Sequence, residues 1–236
     1  MELHVDSRRV LAALVVTTFS LSVLHVLTQA AILAALLPNG HPLAQGFNLD
    51  HEPALPTFFA VILWIAASLL CVLVALGSRR TDTLQSRWWA VLSTAFAFLA
   101  ADEFIGIHEA VSVALQPLPA TGGFFYNGWL LPYGLATVGG LVGSRRFLLR
   151  LPRETRRRIV VATGMFLAGS LVVESFAGRH VEMYGREEPW YRLCLVPLEE
   201  TLENLGLALL ISALFSHLGE IHPPITLRFA PPANGD

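Results

Sequence analysis

Asp102, Glu103, His108 and Glu109 fall within eight residues of one apolar run, Trp88 to Leu115, that is long enough to cross a bilayer. Glu199, Glu200 and Glu203, followed by Asn204, open a second such run, and Glu174 with Arg179 and His180 occupies a third. A charge near the middle of a membrane costs roughly 2.5–3.5 kcal/mol on insertion scales, so such residues face a protein interior, pair, or mark a functional path. Carboxylates combined with one or two imidazoles suit Zn, Fe or Mn. His108, Glu109, Glu174, His180 and Glu203 are therefore the candidate ligands of a divalent metal. Asp102, Glu103, Glu199 and Glu200 are the candidate catalytic carboxylates, one of them a general base on metal-bound water or on substrate.

The same residues support a second chemistry. One arginine, Arg179, cannot neutralise the seven carboxylates Asp102, Glu103, Glu109, Glu174, Glu199, Glu200 and Glu203. Either a cation sits among them or several hold protons. Carboxylate-bridged di-metal bundles carry Glu-x-x-His on two helices. Here the spacings are Glu103-x4-His108 and Glu174-x5-His180, so that likeness is one of composition only. Each residue also has a plainer role. His108 alone reads as a hydrogen-bonded core histidine, Glu174 with Arg179 or His180 as a structural pair, and Glu199 and Glu200 as helix-start carboxylates behind Pro197.

These side chains need helices to hold them. The 236 residues are 54% hydrophobic and only 14% charged, with a mean hydropathy of +0.57. A soluble domain carries about 25% charged residues, so the composition is that of an integral membrane protein. Six apolar runs are expected to span the membrane as helices: residues 10–37, 57–76, 88–115, 124–143, 159–180 and 193–217. A polar, Pro-rich tail, 218–236, follows. Thirteen arginines fall in loops on the side of the termini and three, Arg179, Arg186 and Arg192, on the other. That bias predicts an all-α bundle of six transmembrane helices with both termini cytoplasmic, in a bacterial inner membrane. At about 100° per residue an unbroken third helix puts Asp102 and Glu109 on one face, flanked by Glu103 and His108. Glu199, Glu200 and Glu203 likewise fall within an arc of about 100°. Almost all intramembrane polar residues then lie in the outer half of the bilayer, with His25, Asn127 and Tyr133 at the same level.

Other features are weaker. The net charge of −2 gives no argument for nucleic acid. Cys71 and Cys194 lack disulfide or zinc spacing. No P-loop, GxGxxG, HExxH, GxSxG or CxxCH motif is present. Gly139-x3-Gly143 allows close helix approach and leaves a homo-oligomer open. His41 and Asp50-His51-Glu52 read as a solvated loop or as a lid over the site.

Asp102-Glu103-x4-His108-Glu109 with Glu199-Glu200-x2-Glu203-x2-Gly206 resembles a pattern found in a family of small, uncharacterised bacterial multi-pass membrane proteins. The resemblance implies the multi-pass fold and carries no activity. Asp102-Glu103 is also faintly similar to an acidic pair of ceramidase-like membrane hydrolases. The late His-x3-His of that group is absent, because His217 and His222 stand five apart. Three functions follow as expectations: a metal-dependent membrane hydrolase or oxidoreductase acting on a membrane lipid or other amphiphile; a proton- or cation-coupled transporter or channel subunit; and a structural subunit with a static polar core.

Overall fold

The computed structural model describes residues 6–51, 54–79, 82–118 and 121–221. Among them every regular element is helical: α1 (Ser7–Leu33), α2 (Pro42–Gly46), α3 (Leu55–Ser78), α4 (Thr83–Ile105), α5 (Ile107–Leu115), α6 (Leu130–Arg150), α7 (Arg153–Leu167), α8 (Glu174–Tyr184) and α9 (Val196–Ile221). A 3-10 turn, Gly123–Phe125, precedes α6. One π-helical segment, Ala168–Val173, joins α7 to α8, and another, Tyr191–Leu195, leads into α9. Asp6 and Asp82 cap α1 and α4 by accepting backbone N–H groups of their first turns, replacing partners that a helix start lacks.

Five helices among the described residues are long and apolar enough to cross a membrane: Ser7–Leu33, Leu55–Ser78, Thr83–Ile105, Arg153–Tyr184 and Tyr191–Ile221. These are the lengths and compositions of a multi-pass membrane protein. The run expected over 124–143 begins instead as the 3-10 turn. Its helix, α6, starts at Leu130 and carries Arg145, Arg146 and Arg150 in its last two turns. The run expected over 88–115 is two helices, because Gly106 adopts φ 71 and ends α4. The tail expected from Leu218 starts later: α9 continues to Ile221 with Leu218 buried. The remainder, 222–236, lies outside the described residues, as does Glu52.

α9 is the central rod. In its most apolar stretch 56% of residues are buried, against 11% in α1. It packs against α1, α3 and α7, while α3 and α4 form a hairpin. Trp64 of α3 lies edge-on to Phe166 of α7 and 5.5 Å from the Phe96 ring of α4. The hydroxyl of Ser68 donates to the Ser93 carbonyl across the hairpin, and Ser22 and Thr201 pair at 2.7 Å between α1 and α9. Apolar burial distinguishes little between protein and lipid, so such small-residue contacts and interhelical hydrogen bonds set the packing.

The tightest contact is at glycines other than the expected pair. A Cβ on Gly206 of α9 would sit 2.7 Å from Phe166 N and 2.9 Å from Ala162 O. One on Gly169 would sit 2.8 Å from Glu199 O. By contrast, a Cβ on Gly139 would meet nothing within 4 Å, and one on Gly143 would meet only the end of Trp88. Gly206→Ala should therefore destabilise the folded protein by about 1–3 kcal/mol, since backbone atoms cannot yield. Gly139→Ala should stay within about 0.5 kcal/mol of wild type. Unfolding in mixed micelles checks both.

Candidate functional site

Gly106 divides the first acidic set in two. Its left-handed φ costs an L-residue about 1–2 kcal/mol and costs glycine little. The break leaves the first N–H groups of α5 without helical partners, and Asp102 reaches across to serve them. Its Oδ1 accepts the His108 backbone N–H at 2.7 Å and lies 3.1 Å from His108 Nδ1. Trp129 packs edge-on against the imidazole, and the Tyr133 phenol is a neighbour of the same carboxylate without a well-formed hydrogen bond. Asp102 and His108 thus join two helices. Glu109, beyond the break, is exposed rather than facing Asp102.

The second cluster draws on three helices. Glu174 starts α8, directly after its π segment, and its carboxyl is a near neighbour of that of Glu199. Glu203 neighbours Glu200, Glu174 and Glu103 of α4. Two features bring these residues together. Gly169 lets α9 approach closely enough for the Glu199 carbonyl and Glu203 Cγ to lie against it. Gly178, one turn beyond Glu174, leaves room for Asn127, whose Nδ2 donates to Glu174 Oε1 at 2.5 Å. A π turn inserts a residue and rotates everything after it by about 100°, and such turns recur at functional sites. Here one precedes Glu174 and the other precedes Glu199 by four residues.

Carboxylates brought this close repel one another, and a shared proton relieves that repulsion. Glu174, Glu199 and Glu203 form no ion pair with Arg or His among the described residues. Asn204, 4% exposed, donates to the Glu200 carbonyl at 2.9 Å and has its Oδ1 buried with no donor. This acceptor at the edge of a carboxyl cluster calls for a proton donor or a cation. Carboxyl groups gathered in this way can share a proton.

The histidines are elsewhere. His180 pairs with Glu188 at 2.7 Å, and Glu188 also accepts the Tyr191 N–H that opens the second π segment. His25 accepts the Leu49 N–H at Nδ1 and lies 2.8 Å from the Arg192 carbonyl through Nε2. The first bond requires a bare Nδ1, and the second then places the hydrogen on Nε2, so the ring is neutral with both nitrogens in use. His41 caps α2. Among the described residues no three His, Cys, Asp or Glu side chains are arranged to hold a metal ion.

Sequence reasoning missed a polar network beside this cluster. Asp50 Oδ1 accepts from Arg186 Nη1 at 2.9 Å and from the Tyr191 hydroxyl at 2.7 Å, and Arg192 pairs with Glu187. Glu174 is close enough to act electrostatically on both Arg186 and Tyr191. The loop residues Arg186–Glu188 carry charge without periodicity, so no helical face could have pointed to them. The neighbouring Trp190-Tyr191 was a usable signal only for an interfacial anchor.

Partial burial works against the Glu188 charge. The His180 hydrogen bond and the Tyr191 and Trp190 N–H groups outweigh it and hold the carboxyl below its ordinary value. A depressed carboxylate contributes stability above its unfolded value and loses it as pH falls through the folded one. The melting temperature of wild type should therefore fall more steeply below about pH 4.5 than that of Glu188→Gln, in a pH series of thermal unfolding in detergent.

No curated protein and no solved structure matches the chain. A family model, described as a domain of unknown function, matches residues 9–218, which takes in the helices from α1 to α9 and every carboxylate of the cluster. The chain belongs to this family, Domain of unknown function (DUF8692).

Proposed function

We propose that this is a proton-binding subunit of a bacterial inner membrane, with α6 as a sixth span, both termini cytoplasmic and the carboxyl cluster in the outer half of the bilayer. The arginine distribution of thirteen against three supports that orientation. The observation that carries the function is the contact between the Glu174 and Glu199 carboxyls, with Glu203 beside them and no ion pair to Arg or His in the trio.

Access is one-sided in this reading. Toward the outer face the cluster adjoins Asp50, Arg186 and Tyr191, which lie beside a cavity of about 170 Å³. Toward the arginine-rich end, Leu207, Leu210, Ile211 and Leu214 of α9 are buried against Val74, Trp89 and Phe147. That packed layer favours proton uptake from one side, coupled to the packing of α8 on α9, over a continuous channel. A metal-dependent enzyme would need His108 and His180 to leave Asp102 and Glu188 before joining the carboxylates. Zn, Fe or Mn could otherwise be held only through oxygen atoms.

Dicyclohexylcarbodiimide reacts with protonated carboxyl groups in apolar surroundings. Treatment of membranes containing the protein should modify Glu199, located by peptide mass spectrometry, with labelling falling as pH rises. Glu199→Gln should abolish most of the labelling while the protein stays folded. Two results would overturn the reading: no labelling of Glu174, Glu199 or Glu203 at any pH in folded protein, or a stoichiometric transition metal lost in the His108→Ala/His180→Ala variant.

A further inference from the structure

A cleft at the C-terminal end of α1 lies on the access side of the carboxyl cluster and is lined by none of its glutamates. It has two lobes of about 270 and 170 Å³, and Gln29, Asn48, Glu187 and Arg192 line both. Gln29 is 4% exposed, yet its carboxamide makes no hydrogen bond among the described residues. Its carboxamide lines both lobes, so its donors and acceptor are open to whatever occupies the cleft. Asn48 uses its Oδ1 on the Asp50 N–H and keeps its amide nitrogen for the cleft.

The charges of the cleft are balanced and separated in depth. The Arg192 side chain is 19% exposed and lies within, while that of Glu187, its partner, is 78% exposed at the rim. A purely anionic ligand would meet Glu187 and Asp50, and a purely cationic one would meet Arg186 and Arg192. A molecule carrying both charges satisfies both walls. The segment between the lining residues Ile32 and Ala44 also turns large apolar side chains outward, with Leu36 77% and Leu43 57% exposed. Leu36 follows the end of α1, a helix long enough to cross a membrane, and Leu43 lies in α2, so both belong at the level of lipid headgroups.

We propose that the cleft binds the zwitterionic headgroup of a phospholipid, its phosphate taken by Arg192 and the Gln29 and Asn48 amides and its ammonium by Glu187. This rests on α1 lying in a membrane and not on protons in the carboxyl cluster. The full-length protein in detergent is titrated with short-chain phosphatidylethanolamine while its melting temperature is followed. Saturable stabilisation is expected, with the apparent affinity reduced about tenfold in Gln29→Met and in Glu187→Gln, and unchanged in Glu199→Gln. Glu187 is at the rim, so its variant decides the matter if the buried Gln29→Met does not fold. Three results would overturn the proposal. Wild-type affinity in Glu187→Gln would remove the ammonium contact. Equal stabilisation by short-chain phosphatidylglycerol would remove the zwitterion. Equal stabilisation by free phosphoethanolamine would make the ligand a solute rather than a lipid.

Discussion

The close approach of α9 to the rod formed by α7, the first π segment and α8 governs the rest of this molecule. Gly206 sits on the backbone of Ala162 and Phe166, and Gly169 sits on the backbone of Glu199. In a medium as apolar as the side chains themselves, helices gain little from burying leucine. They gain from close packing and from hydrogen bonds between their backbones and small polar groups. Two glycines of this interface, one on each rod, therefore set the depth of α9. Once that depth is set, Glu174 and Glu199 must meet.

The carboxyl contact is costly for the fold, and the structure offsets the cost locally. Asn127 donates to Glu174, and Gly178 makes room for it. The two π segments turn Glu174 and Glu199 onto facing sides, where regular helices would have rotated each by about 100°. Asp102 is used differently: it serves the start of α5 at the Gly106 break, together with His108. The acidic residues thus divide into one that organises backbone and a group that meets carboxyl to carboxyl.

The polar network at the same end ties loops to helices. Asp50 binds Arg186 and Tyr191, His25 spans Leu49 and the Arg192 carbonyl, and Glu188 spans His180 and Tyr191. All three connections converge on the segment 186–192, which enters the second π segment and hence α9. A displacement of this segment would be transmitted to Glu199 within two turns. The network and the carboxyl cluster are mechanically one unit, although only Glu174 links them electrostatically.

The helical class, the membrane-length runs and the location of the acidic residues at one end were legible in the sequence, because apolar length and charge placement are local properties of the chain. The arc expected for Glu199, Glu200 and Glu203 needs only an unbroken helix, and all three lie within α9. The faces of the third run did not, because Gly106 breaks it and a glycine in a helical pattern is equally compatible with passing through. Only the tertiary structure decided which carboxylates meet, that His108 and His180 are held by Asp102 and Glu188, and that Gly169 and Gly206 rather than Gly139 and Gly143 carry the close contact. Those outcomes depend on how one rod is rotated and seated against another. That is set by π turns and glycine contacts between distant segments, which leave no periodic trace in the sequence of either.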